Sequence, residues 1–305
     1  MEIMSEFIIE DISNGLESYP ISLVYDDFKE LEELRRQHQK YVLHCVIPLS
    51  NESVVDESSY YDGCDCRDNC ISEDCGCKAK HGFFYNSKIL NSVFLPSHGN
   101  STTSITIYEC NSSCTCDSSL CPNRVVQHGI RIPLQIFKTT DGRGWGVRAL
   151  RNIYKGEFIC EYAGEIIKSV EAQRRWRELN LKDKENAQNY ILCLREHVQD
   201  RILRTNIDPT RVGNIGRYIN HSCSPNLLIY IVRVNSLIPI AALFAKCDIE
   251  TGKEITFDYS GGESQIGGVV EGKDDELGFG NKKCLCGSEN CRGVLPFDPT
   301  LQDKI

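Results

Sequence analysis

Gly213-Asn214-Ile215-Gly216-Arg217-Tyr218-Ile219-Asn220-His221-Ser222-Cys223-Ser224-Pro225-Asn226 is the stretch on which the fold turns. An arginine, an asparagine, a histidine and a cysteine fall within the seven residues from Arg217 to Cys223. Turn-forming residues stand at both ends. Two readings suit the stretch by itself. It is a surface loop rich in Asn and Ser, or it is a functional segment whose Cys223 has partners elsewhere. The rest of the chain decides between them.

Working downstream, Cys284-x-Cys286-x4-Cys291 has the spacing of a metal site short of one ligand. The cysteines outside any cluster are Cys45, Cys160, Cys193, Cys223 and Cys247. Cys223 lies in the polar stretch, where a ligand is accessible. The other four sit in apolar surroundings and read as core residues. Residues 261–283, rich in glycine and charge, read as a linker between the two halves of that site.

Working upstream, nine more cysteines form two clusters. The first is Cys64, Cys66, Cys70, Cys75 and Cys77, and the second is Cys110, Cys114, Cys116 and Cys121. Three tetrahedral zinc ions need twelve ligand positions, and nine thiolates fill them if three thiolates bridge. Such a cluster carries a net charge of −3. The 32 residues between the clusters are rich in Ser and Asn. A segment this poor in large apolar side chains draws its folding free energy from metal. Disulfides are the alternative. They leave one of the nine unpaired, and no secretory signal is visible in Met1 to Glu10.

The remaining segments read as short strands and turns. Ile132–Phe137, Val147–Leu150, Phe158–Tyr162, Glu165–Ile167, Tyr190–Leu194, Leu203–Asp208, Ile229–Val234, Ile238–Phe244 and Glu254–Tyr259 are predicted strands. Helices are predicted over Asp27–Tyr41 and, capped by Ser169, over Ser169–Leu181. Arg174, Arg175 and Arg177 then form a solvated face, and His38 faces solvent. Residues 1–60 show no recognisable chemistry, and Asn51–Tyr60 reads as a loop. The 41% hydrophobic content suits a soluble protein, and no run approaches the roughly 18 apolar residues of a membrane span. A net charge of −9 argues against strong direct nucleic-acid binding and favours a basic partner.

Taken together, the nine-cysteine region, Gly144-Trp145-Gly146, Glu161-Tyr162-Ala163-Gly164-Glu165, Arg217 to Cys223, Phe257-Asp258-Tyr259 and Cys284-x-Cys286-x4-Cys291 resemble a known family in both content and order. It is that of SET-domain protein-lysine methyltransferases of the suppressor-of-variegation class. The likeness spans roughly residues 11 to 297. It implies a mainly β chain with short helices, in a SET (β-clip) fold of small sheets around a knot-like threaded loop. Zinc-stabilised pre-SET and post-SET modules flank that fold. The division implied is an N-terminal region at 1–60, a pre-SET module at 61–124, the SET domain at 125–260, the linker at 261–283 and a post-SET module at 284–300.

The resemblance also implies a function. The expected reaction is methyl transfer from S-adenosylmethionine to a lysine ε-amine of the histone H3 tail, at lysine 9 or lysine 36, in nuclear chromatin. Arg143, Gly144, Trp145, Gly146, Tyr190, Arg217, Asn220, His221, Tyr259 and Phe297 would hold or cover the cofactor. Tyr259 would be the catalytic tyrosine, with Tyr190 and Phe257 walling the lysine channel. Three zinc ions would sit in the pre-SET module and one on Cys223, Cys284, Cys286 and Cys291. Phe257 in place of a tyrosine would leave room for a di- or trimethyl product. Two rival classes are a non-catalytic zinc module that binds chromatin and a zinc hydrolase. The second would need a His or carboxylate ligand and an open position, whereas all thirteen expected ligands are cysteines.

Overall fold

The computed structural model describes residues 7–48, 62–96, 105–182, 188–198, 200–260 and 282–301. The linker, apart from Lys282 and Lys283, and the loop at 51–60 lie outside these residues. The fold is mainly β. The strand Leu227–Arg233 shows how it is built. Its sequence, LLIYIVR, is almost continuously apolar, and it is buried along nearly its whole length. Leu227, Ile229 and Ile231 feed one hydrophobic core, while Tyr230 and Val232 feed a second. Period-2 alternation therefore sends successive side chains into two different cores, as a strand covered on both faces requires. Its antiparallel neighbour Ile240–Ala245 divides in the same way, with Leu243 in the first core and Phe244 in the second.

These two strands belong to a sheet in the spatial order Thr106–Tyr108, Leu227–Arg233, Ile240–Ala245, Phe158–Glu161. Its second core takes in Phe84, Leu90, Leu95 and Ile107 from the segment between the two cysteine clusters. That segment is less dependent on metal than its composition suggests, because burying each such side chain contributes roughly 1.5–3 kcal/mol.

A six-stranded sheet runs Phe7–Ile9, Ile21–Tyr25, Leu134–Lys138, Trp145–Ala149, Glu254–Phe257, Asn220–His221. A third sheet runs Gly164–Ile167, Arg201–Gly213, Leu192–Val198, with Lys40–Tyr41 added parallel at Val212–Gly213. The N-terminal residues are thus woven into the sheets. Ile21, Leu23, Leu31 and Leu34 lie in the first core beside Leu134 and Ile136. The helical spacing of Leu31 and Leu34 is visible in the sequence, but the destination of all four depends on strands far along the chain.

The helix Phe28–Gln37 is capped by the Asp27 side chain, which accepts from the Lys29 N–H at 2.8 Å. The helix Ser169–Lys182 buries Ala172 and Trp176. Here two expectations change. Ser169 is the first helical residue rather than the cap, since Ala172 N–H donates to Lys168 O. The arginine face is also not uniformly solvated. Arg175 is half-buried and pairs with Glu165 at 2.6 Å, Glu171 at 2.8 Å and Asp208 at 2.8 Å. Glu171 is its i−4 neighbour on the same helix, but Glu165 and Asp208 arrive from two strands, which helical spacing does not report.

Candidate active site and metal centres

The segment Gly213–Asn226 is held along its whole length by groups from elsewhere in the chain. Asn214 caps the short 3-10 helix Ile215–Tyr218 and donates from Nδ2 to Glu161 O at 2.8 Å. Asn220 and His221 then pair in parallel with Thr256 and Phe257. Asn226 closes the segment, donating to Glu254 O at 2.9 Å and accepting from Thr256 N–H at 2.8 Å. A Cβ at Gly213 would meet Pro209 Cβ at 2.7 Å and Ala163 O at 3.0 Å, so only glycine fits there.

This parallel pairing gathers the expected aromatic residues. The rings of Phe257 and Tyr259 lie 4.9 Å apart, and Tyr162 packs edge-on against Phe257 at 5.9 Å. The Tyr259 hydroxyl donates to Ile219 O at 3.0 Å. Burial pushes its phenol well above the ordinary range, so it stays protonated at neutral pH. Tyr162 donates to Tyr190 O at 2.6 Å. Sequence reasoning quoted Tyr162 only as part of a motif. Its neighbours are what reveal it as part of this aromatic wall.

The Arg217 guanidinium lies 4.6 Å over the Tyr190 ring and 5.0 Å over the Tyr218 ring. It is 4% exposed, and Nε has no hydrogen-bond partner. Arg195 and Arg233 are similarly buried, but each has a carboxylate partner, Asp298 and Glu196 respectively. Among the described residues Arg217 has none. A buried cation without a counter-ion is costly, and the site therefore fits a ligand bearing a carboxylate.

The glycine-rich turn lies beside this arrangement. Asn220 Nδ2 donates to Trp145 O at 3.0 Å and to Glu254 Oε1 at 2.9 Å. Glu254 also pairs with Arg143 at 2.7 Å. Arg143 in turn holds the Asp141 carboxyl below its usual range. A Cβ at Gly146 would meet Glu254 Oε1 at 2.9 Å and Asn220 Nδ2 at 3.2 Å. Gly144 has φ +88°, in the region that favours glycine. Glu254 was missed from the sequence, although it directly precedes Ile255-Thr256-Phe257-Asp258-Tyr259.

His221 is fully engaged. Its Nε2 lies 3.3 Å from Cys223 Sγ, and its Nδ1 accepts from Tyr259 N–H at 3.2 Å. Phe297 packs on Trp176, with ring centroids 5.7 Å apart, in a cluster with Ile191 and Leu301.

The cysteines form compact groups. Cys64, Cys70, Cys75 and Cys110 make one, Cys64, Cys110, Cys114 and Cys116 a second, and Cys70, Cys110, Cys116 and Cys121 a third. Cys66 and Cys77 border them, with Cys77 Sγ 3.6 Å from Cys114 Sγ. Cys223, Cys284, Cys286 and Cys291 make a separate group. Sγ···Sγ distances are 3.6 Å for Cys64–Cys70, 3.8 Å for Cys70–Cys110 and 3.9 Å for Cys223–Cys284. Four thiolates about 2.3 Å from a tetrahedral zinc stand about 3.8 Å apart, whereas a disulfide needs about 2.05 Å. The donor set and its spacing therefore fit zinc. Two cations also border the cluster. Arg124 is buried with NH2 3.7 Å from Cys116 Sγ, and buried Lys78 donates to Cys70 O.

Comparisons with known proteins agree with this geometry. The SET domain family model matches residues 144–260, and the Pre-SET motif model matches residues 13–124. The chain is 40% identical over 309 residues to the rat histone-lysine N-methyltransferase SETMAR, covering 99% of this chain and 92% of that protein. Its human counterpart is 41% identical over 245 residues, 79% of this chain but only 34% of that longer protein. Frog (Xenopus laevis) histone-lysine N-methyltransferase SUV39H1 is 41% identical over 249 residues, covering 76% of this chain and 55% of that protein. Among solved structures, the methyltransferase domain of human SETMAR matches with TM-score 0.71 and 34% identity, covering 95% of this chain and 98% of that one. Arabidopsis thaliana SUVH6 in complex with SAM matches with TM-score 0.70 and 32% identity, covering 93% and 55%. KRYPTONITE in complex with DNA, an H3(1–15) peptide and SAH matches with TM-score 0.69 and 27% identity, covering 94% and 53%.

Proposed function

Because the chain belongs to the SET-domain family of histone-lysine N-methyltransferases, we propose that it methylates lysine 9 of the histone H3 tail and carries it to the di- or trimethyl state. The observation that carries this reading is the wall of Tyr162, Tyr190, Phe257 and Tyr259 beside a buried Arg217 that lacks a carboxylate partner. S-adenosylmethionine, when bound, supplies an electrophilic methyl group on sulfur. Arg217 would take its carboxylate. The backbone of Gly144, Trp145 and Gly146, together with Asn220, would line the same pocket. His221 would serve that pocket through its hold on Tyr259, since both ring nitrogens are taken.

The nucleophile is the neutral lysine amine. Its ordinary pKa of about 10.4 makes deprotonation at pH 7 cost roughly 4.6 kcal/mol. The aromatic wall lowers that cost by desolvating the ammonium form. Tyr259 does not act as the base, because burial keeps its phenol protonated. Its hydroxyl and the Ile219 carbonyl are the polar groups available to orient the amine. The amine nitrogen forms its bond to the methyl carbon as the carbon–sulfur bond breaks, and the amine proton passes to solvent.

Phe257 adds no hydroxyl to the wall, which leaves room for a methylated amine to turn and react again. The tail would add as a strand along Leu192–Val198. That strand pairs on one side only among the described residues, whereas Gly164–Ile167 already has Val46 on its outer edge. Lysine 9 is preferred to lysine 36 because the peptide bound by KRYPTONITE, residues 1–15 of H3, contains only the first.

Zinc would be structural, with three ions in the nine-cysteine module and one on Cys223, Cys284, Cys286 and Cys291. The pre-SET, SET and post-SET division at 61–124, 125–260 and 284–300 belongs to the same reading, as do a location on chromatin and weak direct nucleic-acid binding. No helix among the described residues is long and apolar enough to cross a membrane.

The test is radiolabelled methyl transfer from S-adenosylmethionine to recombinant H3, to H3 with lysine 9 replaced by arginine, and to H3 with lysine 36 replaced by arginine. Transfer should vanish only for the lysine 9 variant, and Tyr259→Phe should lower the rate about a hundredfold. Mass spectrometry should show di- or trimethyl product. Product that stops at one methyl would overturn the Phe257 reading.

A further inference from the structure

The N-terminal segment carried no assignable chemistry in the sequence, and His38 was expected to face solvent. The structure places it against the threaded segment instead. His38 follows the helix Phe28–Gln37 and closes it, with its N–H donating to Leu34 O at 2.9 Å. The next residues are stitched to the third sheet through Gln39 N–H to Arg211 O at 2.8 Å and Val42 N–H to Gly213 O at 3.0 Å. The ring itself contacts two residues of the segment. Nε2 lies 3.1 Å from Gly213 O, and Nδ1 lies 3.0 Å from the Tyr218 hydroxyl.

The chemistry of the partners fixes the tautomer. A carbonyl oxygen only accepts, so Nε2 must carry the proton. A neutral imidazole then has Nδ1 free to accept, and the Tyr218 O–H donates to it. With its proton committed, the Tyr218 oxygen becomes an acceptor, and Arg217 NH1 donates to it at 3.4 Å. The hydrogen bonds therefore run one way, from Arg217 to Tyr218 to His38 to Gly213. Burial and the nearby Arg217 bring the His38 pKa down to about 4, which keeps the ring neutral in this chain of bonds.

We propose that His38 is a positioning residue for the methyl-transfer site: through Tyr218 it fixes the Arg217 guanidinium over the Tyr190 ring, in the orientation that receives the carboxylate of the cofactor. This rests on the reading of Arg217 as the carboxylate partner. Arginine offers five donors on a long side chain, and it binds a carboxylate well only when that fork is held. Among the described residues no acid holds it; His38 and Tyr218 do. The N-terminal segment thereby becomes part of the catalytic unit rather than a scaffold beside it.

Two ligands separate positioning from simple stabilisation. S-adenosylhomocysteine carries the amino-acid carboxylate, and 5′-methylthioadenosine keeps adenine, ribose and sulfur without it. Calorimetric titration of the zinc-loaded chain with each should show His38→Leu weakening S-adenosylhomocysteine roughly five- to tenfold, as loss of one hydrogen bond to a charged group's support predicts. Binding of 5′-methylthioadenosine should be unchanged. Tyr218→Phe, which removes a single oxygen and carries the test should His38→Leu not fold, should do the same. The double variant should be no worse than the weaker single variant.

Equal weakening of both ligands, or of neither, overturns the proposal. Arg217→Met is the control for the underlying reading. If it too fails to discriminate between the ligands, the carboxylate assignment falls and the His38 role falls with it. If Arg217→Met discriminates and the other two variants do not, only the His38 role is lost.

Discussion

The nine-cysteine cluster and the four-cysteine group offer the same ligand chemistry, but the chain assembles them differently. Seven of the nine thiols are buried, and all nine come from one stretch, Cys64 to Cys121. In the other group only Cys284 is buried, and its partner Cys223 lies 61 residues earlier. The first is a small core in which thiols able to hold metal stand where apolar side chains would otherwise pack. The second, with metal bound, would tie the segment around Cys284–Cys291 to the one holding Arg217, Asn220 and His221. Loss of the first should cost the fold, whereas loss of the second should cost the site.

The largest expected effect tests the first half of that contrast. Cys110 belongs to all three groups of the cluster. Cys110→Ser should release more than one zinc by elemental mass spectrometry and lower Tm by about 10 °C or more, given what structural zinc contributes to folding. Full zinc content with an unchanged Tm would break the comparison.

Cys223→Ser should have an intermediate and different effect. One zinc is lost, Tm moves by only about 3 °C, and S-adenosylhomocysteine binds about tenfold more weakly. The reason is geometric, since Cys223 touches His221, and His221 accepts from the Tyr259 N–H. A variant that loses the zinc but binds at full affinity would show that the tail does not report to the site.

The smallest effect sharpens the contrast. Arg292 pairs with Asp258 at 2.8 Å while donating its N–H toward Cys223 Sγ at 3.3 Å. Its side chain is 36% exposed, so the pair should contribute about 0–1 kcal/mol. Arg292→Ala should therefore weaken the four-cysteine zinc only a few fold in a competition titration with a chelator. A loss as large as that of Cys223→Ser would mean that the ion pair, rather than the thiolates, sets the tail in place.

Much of the site was legible because its signals are local. Cysteine spacing reports which thiolates a turn brings together, and the short apolar run Ile229–Val234, bounded by turn residues, reports a buried strand. Phe257-Asp258-Tyr259 and Arg217 to Cys223 were recognisable by residue type and order. Glu254, Tyr162 and His38 were not, for one shared reason. Each acquires its role from a partner more than twenty-five residues away: Glu254 from Arg143 and Asn220, Tyr162 from Tyr190, His38 from Gly213 and Tyr218. A polar residue in a short segment gives no sign of which distant donor or acceptor it will meet.

The sequence alone therefore determined the ligand chemistry, the mainly β class and the identity of the aromatic and amide groups, since all of these follow from residue type at short spacing. Only the tertiary structure decided that Arg175 is paired rather than solvated, that Arg217 has no counter-ion among the described residues, and that residues 7–46 are strands and clasps of the catalytic sheets. Those outcomes depend on which elements pack together. Burial of a charge or the pairing of an edge is a property of the assembled sheets and not of any one strand.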